Sequence, residues 1–430
     1  MKRIFLLLII SGLVLTGCSL FPSPEETPLP QQTAEITRTA AQPESTAHPN
    51  IPTPTPGLVT LLIWMPPQFD PAKDTTAADI LQARLDSFEQ LNPGVSIELR
   101  IKAESGPGGL IESLTTTSAA APHALPDLVA LPYEGLQTAA LKGLLYPFDD
   151  LTVSMSDPDW YDYAQELAHL QNSIFGLPFA GDTQLLVYRP EHVEIPPLDW
   201  ETALQTQGTL VFPAADPEAL FTLTQYQANQ GAVLDEEGRP FLDQNTLTEV
   251  LTFYQQAGEV GFFPVWLTQF QDDDQAWKAF LEDRTDMVVT WSSRHLTEMQ
   301  ESTDITPILT PDGDPYTLAT GWVWALATSN PDHHELSVRL AEHLTAPEFL
   351  AEWTRSLSYL PPRPSALDTW PGYTTRSRFD LISRSAHLIP PADVLASLGS
   401  ALERAAVDVL KQQSDPSTAA QQASESLAGP

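Results

Sequence analysis

The chain has almost no cysteine. Among its 430 residues Cys18 is the single example, which excludes a disulfide framework and a thiolate zinc site. The folded part of the chain therefore depends on the burial of apolar side chains for its stability.

Basic residues are also scarce. The sequence holds 21 lysines and arginines against 56 acidic residues, a formal net charge of −35. A field of this sign repels phosphate backbones and anionic lipid headgroups, so nucleic-acid binding is excluded. The charge disfavours an anionic solute and could attract a cationic one, but a solvated acidic surface is the simpler explanation of the charge.

The sequence lacks the motifs of the common enzyme and metal sites. We find no nucleophile elbow, phosphate loop or zinc motif. His334 and Glu335 do not continue into a second histidine, because position 338 is valine. The acidic run 272–274 lacks the glycine and the distal glutamate of a calcium loop. We expect no metal, no cofactor and no catalytic residues.

The first residues are typical of an export signal. Lys2 and Arg3 precede an apolar run over residues 4–15, which is shorter than the ~20 residues of a membrane-spanning helix. The following Leu15-Thr-Gly-Cys18 resembles a bacterial lipobox. That resemblance implies a signal peptide over residues 1–17 and lipidation of Cys18. The alternatives are an ordinary secretory signal and an uncleaved anchor.

Two low-complexity segments flank the body of the chain. Residues 18–57 hold nine prolines among threonine, serine and glutamine and show no apolar periodicity, which predicts a disordered, partly extended tether. The Gln/Ser/Ala-rich residues 416–430 are predicted to be a disordered tail.

Between these segments, strand patterns alternate with helix patterns. Residues 59–64, 95–101 and 125–131 read as strands, and an apolar stripe from Ile80 to Leu91 has helical spacing. Such alternation predicts an α/β fold with mainly parallel sheets and helices on both faces. The stretch 173–188 combines Gly176, Pro178 and Gly181 with a β-prone run, and we interpret it as a hinge strand between two lobes.

The order of several short motifs resembles the carbohydrate-type (family 1) extracellular solute-binding lipoproteins of ABC importers. They include Leu61-Leu-Ile-Trp64, Asn92-Pro-Gly94, Pro126-Asp127, Thr320-Gly-Trp322 and Tyr359-Leu-Pro-Pro362. The resemblance spans about residues 58–370.

This resemblance implies a two-lobed, type II-like periplasmic-binding-protein fold. The first lobe would comprise residues 58–181 plus 326–360 and the second 182–325 plus 361–415, with crossings near 180–184, 324–327 and 360–363. A monomer would close on a small solute, which we expect to be a sugar, and deliver it to the permease subunits. The lipid would hold the protein at the outer face of the cytoplasmic membrane.

A sugar site needs aromatic platforms beside carboxylates, amides and arginines, because sugars present apolar C–H faces together with hydroxyls. Trp64, Trp291 and Trp322 lie at or near strand ends, where open α/β sheets present ligands. The alternative interpretation of each of these tryptophans is that it belongs to the hydrophobic core.

The polar candidates lie in the first loop, directly after strands and, in the case of Asp182, in the first crossing itself. They are Asp70, Tyr133, Glu134, Asp182 and Arg294. For Asp182, a hinge hydrogen bond or a turn role is an alternative to ligand binding, and Arg294 is alternatively a surface residue.

Three functions remain open. The first is a non-enzymatic, membrane-anchored solute-binding protein that delivers a sugar or oligosaccharide to an ABC permease. The second is a sensor or adhesion lipoprotein with the same fold. The third is a secreted glycoside-acting enzyme that uses a pair of carboxylates.

Overall fold

The computed structural model describes residues 58–427, and their backbone alternates strands and helices. The strands are β1 (Val59–Met65), β2 (Val95–Ile101), β3 (Leu128–Pro132), β4 (His169–Leu170), β5 (Ser173–Ile174), β6 (Gly176–Tyr188), β7 (Leu210–Val211), β8 (Met287–Trp291), β9 (Asp304–Thr306), β10 (Thr317–Leu326) and β11 (Ala386–Leu388).

Helices fill most of the connections. They are α1 (Thr76–Leu91), α2 (Leu110–Ala120), α3 (Tyr133–Leu141), α4 (Asp162–Ala168), α5 (Trp200–Gln205), α6 (Leu220–Ala228), α7 (Gln244–Glu259), α8 (Asp273–Leu281), α9 (Ser292–Thr297), α10 (Pro331–His343), α11 (Pro347–Ser356), α12 (Pro364–Leu367), α13 (Tyr373–Arg384), α14 (Ala392–Leu410) and α15 (Pro416–Leu427). Short 3-10 turns lie at Pro67–Phe69, Pro122–Ala124, Ser154–Ser156 and Val265–Gln269.

One mixed sheet runs through this part of the chain in the order β2-β1-β3-β10-β6-β8-β7. β1 is parallel to β2 and β3, and β7 is parallel to β8. The antiparallel pairings involve the long strands β6 and β10. We call the elements around β1–β3 the first lobe and those around β7–β9 the second lobe. The predicted α/β class is confirmed.

The two long strands change neighbours near the middle of the sheet. β6 pairs with β10 up to Thr183 and with β8 from Gln184 onward. The backbone of Gly181 also exchanges two hydrogen bonds with Leu360, of 2.8 and 2.9 Å. We call Gly181, residues 319–321 and Leu360 the crossing. The crossing expected at 324–327 is wrong, because Trp324 and its neighbours already pair with β3 inside the first lobe.

Helix α1 forms where the apolar stripe from Ile80 to Leu91 predicts a helix. Leu81, Leu85 and Phe88 share one face and are buried, and the Thr75 hydroxyl accepts a hydrogen bond from the Ala78 N–H at the amino end. A side-chain cap and an apolar stripe together define this helix.

The expectation of disorder is wrong for residues 416–427, which form α15. Ala419, Ala420 and Ala423 are buried where α15 packs against α7 and α14. Alanine has the highest helix propensity, and its small side chain lets helices approach closely. Residues 428–430 lie outside the described part of the chain.

The predicted signal peptide, Cys18 and the tether all fall within residues 1–57, outside the described residues. None of the helices found between residues 58 and 427 is long and apolar enough to cross a membrane.

Candidate ligand-binding cleft

A cleft of about 850 Å³ opens at the crossing and is lined by both lobes. Six of the eight predicted ligand residues line it: Tyr133, Glu134, Asp182, Trp291, Arg294 and Trp322. Tyr133 and Glu134 directly follow β3, and Trp291 ends β8. The cleft therefore lies where the carboxyl ends of strands from both lobes meet.

Four aromatic side chains line the cleft: Tyr133, Trp291, Trp322 and Tyr359. Trp291 is half-buried, and Trp322 is mostly buried with its ring edge-on to Phe69 at 5.0 Å between centroids. Burial raises the pKa of Tyr133 and of Tyr359 to about 12. Like an ordinary tyrosine, both phenols are protonated at neutral pH and can donate hydrogen bonds.

Tyr359 was not among the predicted site residues, although it begins the quoted motif 359–362. It follows α11 and stands one residue before Leu360 of the crossing. The motif 359–362 predicts a connector between the lobes, and a residue beside such a connector lies next to the cleft. The position of Tyr359 in this motif is therefore the sequence signal that indicates a cleft residue.

Asp182 ties the crossing strand to the second lobe. Its carboxylate accepts hydrogen bonds from the Ser292 hydroxyl at 2.7 Å, from the Ser293 N–H at 2.9 Å and from the Ser293 hydroxyl at 2.5 Å. Burial raises the pKa of Asp182 to about 6, although these hydrogen bonds favour the charged form. Because both carboxylate oxygens have partners, the geometry favours the hinge hydrogen bond over ligand binding.

Arg294 is surrounded by carboxylates. Its guanidinium donates to Asp273 and to Glu298, each at 3.1 Å, and also pairs with Asp274. These partners occupy all three nitrogens, so little of its charge remains for an anionic solute. Arg294 lines the cleft mainly as the centre of this ion-pair cluster.

Two predicted residues do not line the cleft. Trp64 is only 2% exposed because β1 has buried side chains on both faces at this point, and Lys102 Nζ lies 4.8 Å from the centroid of its ring. Asp70 instead closes the turn before α1 by accepting a hydrogen bond from the Ala72 N–H at 2.9 Å. The assignment of both to the cleft is wrong.

The charged residues of the cleft are mainly acidic. Its carboxylates belong to Glu104, Glu134, Asp182, Asp273 and Glu298, and its cations are Lys73 and Arg294. Nowhere between residues 58 and 427 do three or more carboxylate, histidine or cysteine side chains converge as a metal site would require. The cleft thus suits a neutral polyhydroxylated solute or a cationic one.

Comparison with known proteins identifies the family. The sequence model described as bacterial extracellular solute-binding protein matches residues 83–375. No curated protein sequence matches the chain.

Solved structures share the fold at low sequence identity. The sugar-binding protein MalE from Xanthomonas citri aligns with a TM-score of 0.70 and 18% identity, covering 86% of this chain and 96% of that one. A cyclo/maltodextrin-binding protein complexed with maltotetraose aligns with a TM-score of 0.69 and 18% identity, covering 86% of this chain and 96% of that one. MalE from Listeria monocytogenes in complex with maltose aligns with a TM-score of 0.66 and 14% identity, covering 86% of this chain and 97% of that one.

The resemblance inferred from the short motifs is therefore confirmed, and the two-lobed fold is shared with these binding proteins. The family model matches well over half of this chain, which therefore belongs to the bacterial extracellular solute-binding proteins.

Proposed function

We propose that this protein captures a sugar or oligosaccharide in the cleft without converting it. The observation that carries the proposal is the set of four aromatic side chains, Tyr133, Trp291, Trp322 and Tyr359, that line a polar cleft at the crossing. Trp291 and Tyr359 are only half-buried and offer apolar ring surface to the C–H faces of a pyranose, and the neighbouring carboxylates and hydroxyls suit its hydroxyls.

The relatives support a saccharide cargo. Proteins of the same fold were solved with maltotetraose and with maltose. At their low identity they support the fold directly and the cargo only by analogy, so the aromatic lining of this chain is the stronger argument.

We further propose that the lobes close on the solute around the crossing. With the β10 crossing at residues 319–321, the proposed first lobe comprises residues 58–181 plus 322–360 and the second residues 182–318 plus 361–415, and the strand change of β6 lies at their junction. A ligand held by Trp291 in the second lobe and Tyr133 in the first would stabilise the closed arrangement, because it contacts both lobes only when they approach.

Outside the described residues, we propose that the chain is acylated at Cys18 and held at the outer face of the cytoplasmic membrane. The tether of residues 18–57 would leave the body free to meet an ABC permease as a monomer. The lipobox-like Leu15-Thr-Gly-Cys18 supports the anchor, and the extracellular solute-binding family supports the location and the permease. Replacing Cys18 with alanine should release the protein from the membrane fraction.

A thermal-shift screen tests the cargo. The purified chain is heated with maltodextrins, manno-oligosaccharides, polyols, polyamines and amino acids. A solute at about a hundred times its dissociation constant should stabilise the protein by roughly 2.7 kcal/mol. A midpoint raised by one saccharide class, with that saccharide recovered intact, supports the proposal; a rise only with amino acids would refute the sugar assignment.

A further inference from the structure

The half-buried ring of Trp291 stands at a junction that its own side chain cannot stabilise. Trp291 ends β8 and is the N-cap residue of α9, with extended backbone and no side-chain cap. N-cap positions favour serine, threonine, aspartate and asparagine, whose oxygens accept the N–H groups of the first turn. The indole has a donor but no acceptor. Tryptophan at this position therefore leaves the N–H groups of α9 to be satisfied from elsewhere.

The missing acceptor comes from the crossing strand. Asp182 of β6 lies 111 residues earlier in the chain than Ser293, the second residue of α9, and accepts its N–H with 2.9 Å between nitrogen and Oδ1. The Ser293 hydroxyl donates to the other carboxylate oxygen at 2.5 Å. Asp182 thus supplies the cap that the side chain of Trp291 cannot.

Ser292 joins the same two segments a second time. Its hydroxyl oxygen accepts the Thr183 N–H at 3.2 Å, and its hydroxyl donates to Asp182 Oδ1 at 2.7 Å. Ser292 is 0% exposed and does not line the cleft, so it cannot touch a solute there. We call Asp182, Ser292 and Ser293 the junction network.

Helix α9 depends on such contacts for its position. It has six residues, too few to be stable through its own hydrogen bonds. On the strand side, Trp291 pairs with Gln184 in the last rung between β6 and β8, and on the helix side Arg294 pairs with Asp273. The junction network fixes the backbone between that rung and that ion pair.

We propose that Asp182 and Ser292 are positioning residues that hold the indole ring of Trp291 in place before a saccharide enters the cleft, an inference that rests on the proposed saccharide function. A side chain that is ordered in advance spares the complex the cost of ordering it. The saccharide contacts Trp291, whereas Asp182 and Ser292 act through the junction between β8 and α9.

A direct contact between Asp182 and the saccharide makes the opposite prediction for the two residues. Asp182 lines the cleft, so a direct contact would make binding sensitive to Asp182 and insensitive to the enclosed Ser292. The positioning role makes binding sensitive to Ser292, and it tolerates any change at Asp182 that keeps the acceptor for Ser292 and Ser293.

Calorimetric titrations of the purified chain compare these alternatives. Maltotetraose, cellotetraose and mannotetraose are titrated, and the tightest binder of the natural chain is carried forward. Ser292→Ala should weaken its binding about tenfold. Asp182→Asn retains one acceptor oxygen for the Ser292 hydroxyl and the Ser293 N–H, and should weaken binding no more than about threefold. Under a direct contact the larger loss would belong to Asp182→Asn.

A second readout follows Trp291 without any ligand. The chain is labelled with 5-fluorotryptophan, and the fluorine resonance of Trp291 is identified by its loss in Trp291→Phe. Ser292→Ala and Asp182→Ala should each broaden or split this resonance, because the ring then samples several orientations. A changed neighbour alone would shift it and leave it sharp.

Ser337→Ala is the matched control. Ser337 is likewise 0% exposed, its hydroxyl donates to the His333 carbonyl at 2.8 Å within α10, and it does not line the cleft. The substitution removes a buried hydroxyl of the same kind far from the junction network. Its affinity and its Trp291 resonance should equal those of the natural chain.

Three results would overturn the positioning role: undiminished binding by Ser292→Ala, weakened binding with a single sharp Trp291 resonance, or equal weakening in Ser337→Ala, which would attribute the loss to lower stability. If Ser292→Ala does not fold, the resonance of Asp182→Ala decides in its place. If no tetrasaccharide binds the natural chain, the proposed function fails. The Trp291 resonance then decides the positioning role alone: a sharp one refutes it, and a broadened one leaves it standing.

Discussion

Replacing Gly181 with alanine should disrupt the crossing. A Cβ atom at this position would fall deep inside the van der Waals radius of the Tyr163 hydroxyl oxygen and 2.9 Å from the ring carbon Cζ. Tyr163 is fully buried in α4, so its ring cannot swing into solvent. The backbone of Gly181 would have to move, and it holds both hydrogen bonds to Leu360.

The expected magnitude follows from the crowding. Overpacking a rigid core costs typically 1–3 kcal/mol, occasionally more, and here both the added atom and its neighbour are enclosed. We expect Gly181→Ala to lower the free energy of unfolding by about 3 kcal/mol. Tyr163→Phe alone should cost little, since this hydroxyl has no hydrogen-bond partner within residues 58–427.

The double variant isolates the clash. With the hydroxyl removed, the nearest atom to the new Cβ is a ring carbon at about the 2.9 Å separation, which still requires a small shift. Gly181→Ala combined with Tyr163→Phe should therefore recover about half of the loss, a coupling of about 1–2 kcal/mol. Urea unfolding of the ligand-free chain, followed by circular dichroism, measures all three variants.

Gly258→Ala provides the matched control. Gly258 lies within helix α7, where an added Cβ has its nearest neighbour at 4.0 Å, so the same substitution should stabilise by about 0.5–1 kcal/mol. If Gly181→Ala and the double variant lose equal stability, the Tyr163 hydroxyl is not the obstacle. A Gly181→Ala protein as stable as the natural one would refute the close packing of the crossing.

Three further predictions concern other parts of the molecule. Trp291→Ala should abolish saccharide binding in calorimetry while the ligand-free melting midpoint stays nearly unchanged; a loss of several kcal/mol of stability would show that Trp291 is a core residue instead. The pKa of Asp182, raised by burial from 3.8 to about 6, means that the folded state holds this proton more tightly than the unfolded one. Protonated Asp182 should therefore contribute fully to the free energy of unfolding below about pH 4, and this contribution should fall by about 3 kcal/mol as the pH rises through 6. In urea unfolding, the Asp182→Asn variant should lack this pH-dependent loss of stability. Identical pH profiles for the variant and the natural chain would contradict the raised pKa of Asp182. Ala420→Asp should destabilise the protein by about 2 kcal/mol or more, since it places a charge in the interface of α15 with α7 and α14; unchanged melting would mean that α15 contributes nothing to the fold.

The strand ends explain why much of the cleft was predictable. Tyr133 directly follows an apolar strand and Trp291 ends one. Open α/β sheets bind ligands at the carboxyl ends of their strands, which brings such residues together. The rule does not say which residues of a strand end are covered. Trp64 satisfies it but lies beneath other elements, because β1 is a central strand buried on both faces.

Other features depended on contacts distant in sequence. Asp182 and Ser292 are more than a hundred residues apart, so no local pattern distinguishes a hinge carboxylate from a ligand-binding one. Two of the three carboxylate partners of Arg294, Asp273 and Asp274, come from the start of α8, about twenty residues earlier in the chain. In α15, buried alanines among glutamine and serine resemble a solvated tail until the helices that cover them are placed.

The saccharide assignment is tested most directly by isothermal titration calorimetry of the purified natural chain and of Trp291→Ala with tetrasaccharides of several linkages, cationic and neutral. We predict saturable one-site binding of at least one tetrasaccharide to the natural chain, and no detectable heat with Trp291→Ala. Absence of heat with every tetrasaccharide, in a protein that does bind amino acids or another non-sugar solute, would contradict the account.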